Sequence, residues 1–166
     1  MVEDPQTGSG RDETENERLD RNLQELLGEL RVALPGVQVL FAFLLVVPFN
    51  QRFAQVTSFQ RSLYLATLLC AALASAFLIA PTAHHRLMFR RQDKENLVLV
   101  SNRQAIIGLT LLAIAMTCAI VLVTDVLFKP ATTAFAGGLV ALTFAVLWYA
   151  LPLRRRSRVG RRTSKS

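Results

Sequence analysis

"QAIIGLTLLAIAMTCAIVLVTDVLF" fills residues 104–128, and its reading decides the class of the chain. Asp125, near the end, is the one charged side chain in it. A helix rises about 1.5 Å per residue, so about 20 apolar residues cross a ~30 Å hydrocarbon layer. This run exceeds that length. Three others resemble it in character: "PGVQVLFAFLLVVPF" at 35–49, "LYLATLLCAALASAFLIAPTA" at 63–83 and "ATTAFAGGLVALTFAVLWYALPL" at 131–153. Run 35–49 is the shortest, and spans only with tilt, bilayer thinning or help from Val32 to Leu34.

Composition agrees. Of 166 residues 52% are hydrophobic, and the mean hydropathy is +0.35. A soluble domain of this size seldom carries so much apolar surface. The expected fold class is all-α: an integral membrane four-helix bundle over 35–153, preceded by a cytoplasmic or interfacial amphipathic helix. Residues 1–14 mix Pro, Gly, Ser and acids and are expected to be disordered. They lack the basic start and early apolar core of a cleavable signal peptide.

The amphipathic helix is expected over 15–34. "TENE", Thr14 to Glu17, has the form of a capping box. Leu19, Leu23, Leu26 and Leu30 then recur at helical spacing, with Leu27 widening the stripe. Glu17 with Arg21, and Arg21 with Glu25, stand four apart and can pair. Pro35-Gly36 is expected to bend the chain away from helix. Acids on the polar face point to a basic partner rather than to anionic lipid. The 84–103 loop and the basic tail supply one in the same chain, and a partner helix, that of a second copy included, is the alternative.

Charge sets the expected orientation. Residues 1–34 hold nine acids and four bases, whereas 154–166 hold seven bases and no acid. The 84–103 loop carries Arg86, Arg90, Arg91, Lys94 and Arg103, against Arg52 and Arg61 in the 50–62 loop and Lys129 in the last turn. Positive residues mark the cytoplasmic side. Both termini are therefore expected inside a cell membrane crossed four times. Trp148 and Tyr149 would form an aromatic belt on the inner side, and Phe53, Phe59 and Tyr64 one on the outer.

Few residues suggest chemistry. His84 and His85 are the only histidines and sit at the exit of the second span beside Arg86. Adjacent residues on a helix point about 100° apart, so the two do not readily share one ion. The plain reading is a pair of amphipathic side chains at a headgroup boundary; the sharper one is a proton or pH role. Asp125 is the only carboxylate near a span. It reads either as a cap on an outer turn with Lys129 or as an ion site. Gln38 reads as a helix–helix hydrogen bond in preference to a pore lining. Gly137, Ala141 and Ala145, and Ala72, Ala76 and Ala80, form small-residue faces that admit bundle packing, a homo-oligomer or a membrane partner. Arg154, Arg155, Arg156 and Arg158 open a tail suited to anionic lipid headgroups. Nothing accompanies that charge that would suit nucleic acid. Cys70 and Cys118 read as small apolar side chains. No nucleophile elbow, phosphate loop or Ser/His/Asp set occurs, so no catalytic residue, metal or cofactor is assigned and an enzyme is not expected.

"ERLDRNLQELLGELRVALPGVQVLFAFLL", "FQRSLYLATLLCAALASAFLIAP" and "HHRLMFRR" together resemble a family of small bacterial membrane proteins of unknown function, best known from high-GC Gram-positive genomes. The likeness covers roughly 15–128. It implies a leucine-striped helix followed by four spans, and it brings no activity or site. The function expected is a non-enzymatic structural or interaction role in the membrane. The alternative is an oligomeric ion- or proton-coupled transporter or channel subunit.

Overall fold

A computed structural model describes residues 15–88, 94–151 and 154. Four long helices make up the fold, and the described residues contain no strand. Helix α1 is Glu15–Val46, α2 is Ser58–Met88, α3 is Lys94–Leu127 and α4 is Pro130–Phe144. A π-helical segment, Ala145–Ala150, continues α4, and two 3-10 turns, Val47–Phe49 and Gln51–Gln55, join α1 to α2.

The break expected at Pro35 is absent, because α1 runs unbroken through it. Proline deprives the Arg31 carbonyl of its helical donor, but Pro35 and Gly36 both lie on the exposed side of the helix. The opposite side holds the helix in place. Leu23, Leu30, Val37 and Leu44, seven residues apart, are all buried. This seam carries the leucine stripe past the proline, so the amphipathic stretch is the first half of α1. It packs on spans rather than on a loop: Leu30 and Val37 share a cluster with Ala74 and Leu78 of α2 and Ala105 and Leu112 of α3. Its polar face is solvated, with Arg21 Nε 3.8 Å from Glu25 Oε1 on an exposed surface. The capping box at Thr14 lies outside the described residues.

The 84–103 loop is also replaced. Helix α2 continues to Met88 and α3 begins at Lys94. Helices α1, α2 and α3 have 32, 31 and 34 residues, whereas about 20 suffice to span. Their surplus extends at one end of the bundle, the end at which α4 also finishes and the tail begins. We call this the tail end. Helix α4 with its π segment is only just long enough to cross, and it packs on α3 but not on α1 or α2.

The α2–α3 pair is the centre. A Cβ placed on Gly108 would stand 2.8 Å from both Cγ and Cδ2 of Leu78 and 3.2 Å from the Leu78 backbone nitrogen. Only glycine lets the two backbones approach this closely. Ala71, Ala74 and Ala115 extend the same seam and are buried. The small face expected at Ala72, Ala76 and Ala80 is not this one: Ala76 is exposed and the other two are half-buried. In α4 Gly137 is buried, with Val121 of α3 where its Cβ would be, while Ala141 and Ala145 are exposed.

Tyr64 leaves the expected outer belt for a structural post. Pro48 has no N–H to offer the Leu44 carbonyl four residues earlier. The buried Tyr64 hydroxyl donates to that carbonyl at 2.9 Å instead, and Phe53 packs edge-on against its ring at 5.2 Å. In lipid a stranded carbonyl has no water to turn to.

Two outcomes follow for SDS unfolding monitored by circular dichroism. Gly108→Ala destabilises the protein by about 1–3 kcal/mol, and combining it with Leu78→Ala loses less than the sum of the two. Tyr64→Phe costs about 1 kcal/mol, and costs less in a Pro48→Ala background, where residue 48 regains an N–H. Equal costs in both backgrounds would contradict the assigned hydrogen bond.

Candidate functional site

Polar side chains gather at the two ends of the bundle. At the tail end, His84 lies half-buried about one turn before the end of α2, facing Gln104 of α3. The Gln104 amide nitrogen lies 3.2 Å, and its oxygen 3.3 Å, from His84 Nδ1. A neutral imidazole accepts from the amide or donates to it, according to tautomer. One turn of α3 away, Ser101 is fully buried and its hydroxyl has no partner. The His85 side chain lies outside the described residues, so the pair is not brought together here.

At the opposite end, Asp125 is half-buried near the end of α3. Gln60 Nε2 donates to its Oδ2 at 2.9 Å. Gln60 is itself held by a capping box at the start of α2. The Thr57 N–H donates to Gln60 Oε1 at 3.0 Å, and the Gln60 N–H donates to Thr57 Oγ1 at 3.2 Å. Asp125 is therefore fastened to the neighbouring helix, not to Lys129, with which it forms no ion pair among the described residues.

Beside α3 the short contact with α4 leaves two clefts. One, about 280 Å³, is lined by Ile106, Leu109, Trp148 and Tyr149. The other, about 270 Å³, runs on along Thr110, Ala113, Thr117, Phe144 and Tyr149. The Tyr149 hydroxyl is hydrogen-bonded to Thr110 Oγ1, whose own proton goes to the Ile106 carbonyl. The walls are thus apolar despite these hydroxyls. The helix is π-wound at this level, over Ala145–Ala150. Of the tail arginines Arg154 is exposed; Arg155, Arg156 and Arg158 lie outside the described residues. Among the described residues no group of three or more His, Cys, Asp or Glu is placed to hold a metal.

Sequence reasoning overlooked Gln60, Gln104, Ser101 and Tyr149 as partners. Thr57-Ser-Phe-Gln60 does carry a signal, being the Thr-x-x-Gln form of a capping box. Gln104 and Ser101 carry none, since their roles depend on which α3 face meets α2.

Four helices, each long and apolar enough to cross a bilayer, with their polar contacts at the ends, define a multi-pass helical membrane protein. The chain belongs to a family of unknown function, DUF6328, whose profile matches residues 12–152. That match takes in the fourth helix, outside the clearest part of the resemblance. No curated protein and no solved structure matches the chain.

A double-mutant cycle on Gln60→Ala and Asp125→Ala should show coupling of about 0.6–1.7 kcal/mol. Additive effects would mean that the contact contributes nothing to stability.

Proposed function

We propose that the protein is a non-enzymatic structural or interaction component of a bacterial cytoplasmic membrane, with both termini on the cytoplasmic side. The orientation is supported by the five bases between Arg86 and Arg103 and the seven in the tail, against three at the opposite end. One observation carries the functional reading. The hydroxyls deep in the spans are spent on their own helices. Thr67 donates to the Leu63 carbonyl at 2.7 Å, Ser75 to Ala71 at 3.0 Å, Thr117 to Ala113 at 2.8 Å and Thr143 to Leu139 at 2.8 Å. A hydroxyl turned back in this way has no proton left for an anion or a polar substrate, and it does not itself carry a proton on or off. Residues 37–49, 62–83, 104–124 and 130–151 contain no Asp, Glu, Lys, Arg or His, whereas ion-coupled transport uses such a carrier inside the membrane.

The transporter reading draws on a specific feature as well: the half-buried His84–Gln104 pair and the unpartnered Ser101 at the tail end. Flux separates the two. Proteoliposomes of the purified protein should show ion and proton permeability equal to that of empty vesicles. Flux above that level, lost in Asp125→Asn or in His84→Ala with His85→Ala, would replace the interaction role with transport.

A further inference from the structure

Gln38 lies in the apolar part of α1, and its side chain is exposed on the face turned away from the bundle. Its neighbour Val37 is buried among Ala74, Leu78 and Leu112, which puts residue 38 at the depth of the spans. Among the described residues no hydrogen bond holds the amide. In water this would be ordinary; in hydrocarbon an unpaired amide is costly. A second polar group lies on the same face. Residues 31, 35 and 38 follow helical spacing and are all exposed. Pro35 brings no N–H to the Arg31 carbonyl, about two turns before Gln38 on the helix. Around them the face is open. A Cβ on Gly28 or Gly36 would meet nothing within 4 Å, and Ala42 and Leu45, also exposed, continue the line past Gln38.

We propose that this face of α1 is the interface of a parallel homodimer in which Gln38 of each copy hydrogen-bonds across the two-fold axis. The occupant follows from the chemistry of the side chain. An amide carries both donors and an acceptor, so it is complementary to itself. Two copies inserted the same way bring residue 38 to the same depth, and an isologous contact then pairs it with its own counterpart. The Arg31 carbonyl is a second acceptor within the same seam. Residues 31, 35, 38, 42 and 45 recur at spacings of four and three, the pattern of two helices packed side by side. The face lies about 100–160° round the helix from the buried seam of Leu23, Leu30, Val37 and Leu44, so α1 can pack on its own bundle and on a second copy at once. The proposal rests on the interaction reading above and names the partner as a second copy of this chain.

The test is energy transfer between copies labelled at the C-terminus with donor or acceptor and reconstituted in phosphatidylcholine vesicles over a range of protein-to-lipid ratios. Transfer should fall on dilution into lipid. Gln38→Leu, at an exposed position that leaves the fold intact, should move the midpoint to about tenfold higher protein density, and Gln38→Asn should restore most of the shift. With Cys70 and Cys118 replaced by alanine, Ala42→Cys should form a chain-to-chain disulfide and Ala66→Cys, exposed on α2, should not. A Gln38→Leu curve that superimposes on the wild type, equal crosslinking at both positions, or no transfer at any density would overturn the proposal. The last would leave a different membrane protein as the partner of Gln38. None of these results changes the flux measurement, so failure of the dimer and failure of the interaction role are told apart.

Discussion

The approach of α2 to α3 at Leu78 and Gly108 is the contact on which the rest of the bundle depends. Inside a bilayer no hydrophobic force draws helices together, since lipid chains are as apolar as leucine. Close packing must supply the attraction, and close packing needs small residues. Gly108, Ala71, Ala74, Ala105 and Ala115 provide them along one seam. Helix α1 then lays its seven-residue repeat over that pair, and α4 lies on α3 alone, with Gly137 against Val121. The order of dependence explains why α4 is so exposed: it has one neighbour and lipid everywhere else.

A second constraint governs the prolines. Each proline within or beside a span leaves one carbonyl without a helical donor, and the chain answers differently according to where that carbonyl lies. At Pro48 a buried tyrosine from α2 supplies the missing donor. At Pro130 none is needed, because proline at the first turn of α4 replaces an N–H that would be free anyway. At Pro35 the carbonyl, that of Arg31, is on the exposed face that also carries Gln38 about two turns further along. The same accounting covers Thr67, Ser75, Thr110, Thr117, Thr124, Thr133 and Thr143, each of which returns its proton to the carbonyl four residues back, whereas the buried Ser101 hydroxyl has no partner among the described residues. Among the described residues the polar groups that cross between helices are few, and they sit toward the ends: Tyr64 with the Leu44 carbonyl, Gln60 with Asp125, His84 with Gln104, Tyr149 with Thr110.

The number of spans was legible because length and hydropathy alone fix it. The leucine stripe from Leu19 to Leu30 was legible too, being periodic. Its continuation through Val37 and Leu44 was not, because in those positions the apolar background hides the period and Pro35 argues for a break. A proline that stops a helix in water is tolerated in one clamped by a packed seam. The long loop at 84–103 was read from its charges, yet charged residues extend helices readily once these project beyond the lipid. Which alanines meet α3 was not legible, because in an alanine-rich run only the partner helix tells the buried Ala71 and Ala74 from Ala72 and Ala76. Asp125 was singled out, but its partner was sought four residues along the chain, whereas Gln60 on another helix holds it.

These features describe a protein whose polar groups are arranged to hold helices together, with its charge kept to the projecting ends. The α2–α3 seam can be tested with the two native thiols. Cys70 and Cys118 are half-buried, and the Cys118 thiol lies near both Cys70 and the Thr67 hydroxyl across the seam. A short, membrane-permeant bifunctional thiol reagent applied to the unmodified protein in vesicles, followed by mass measurement, reads that proximity directly. The packed hairpin predicts one reagent bridging the two cysteines within a single chain. Two independent single-ended adducts, or bridges formed only between chains, would contradict it.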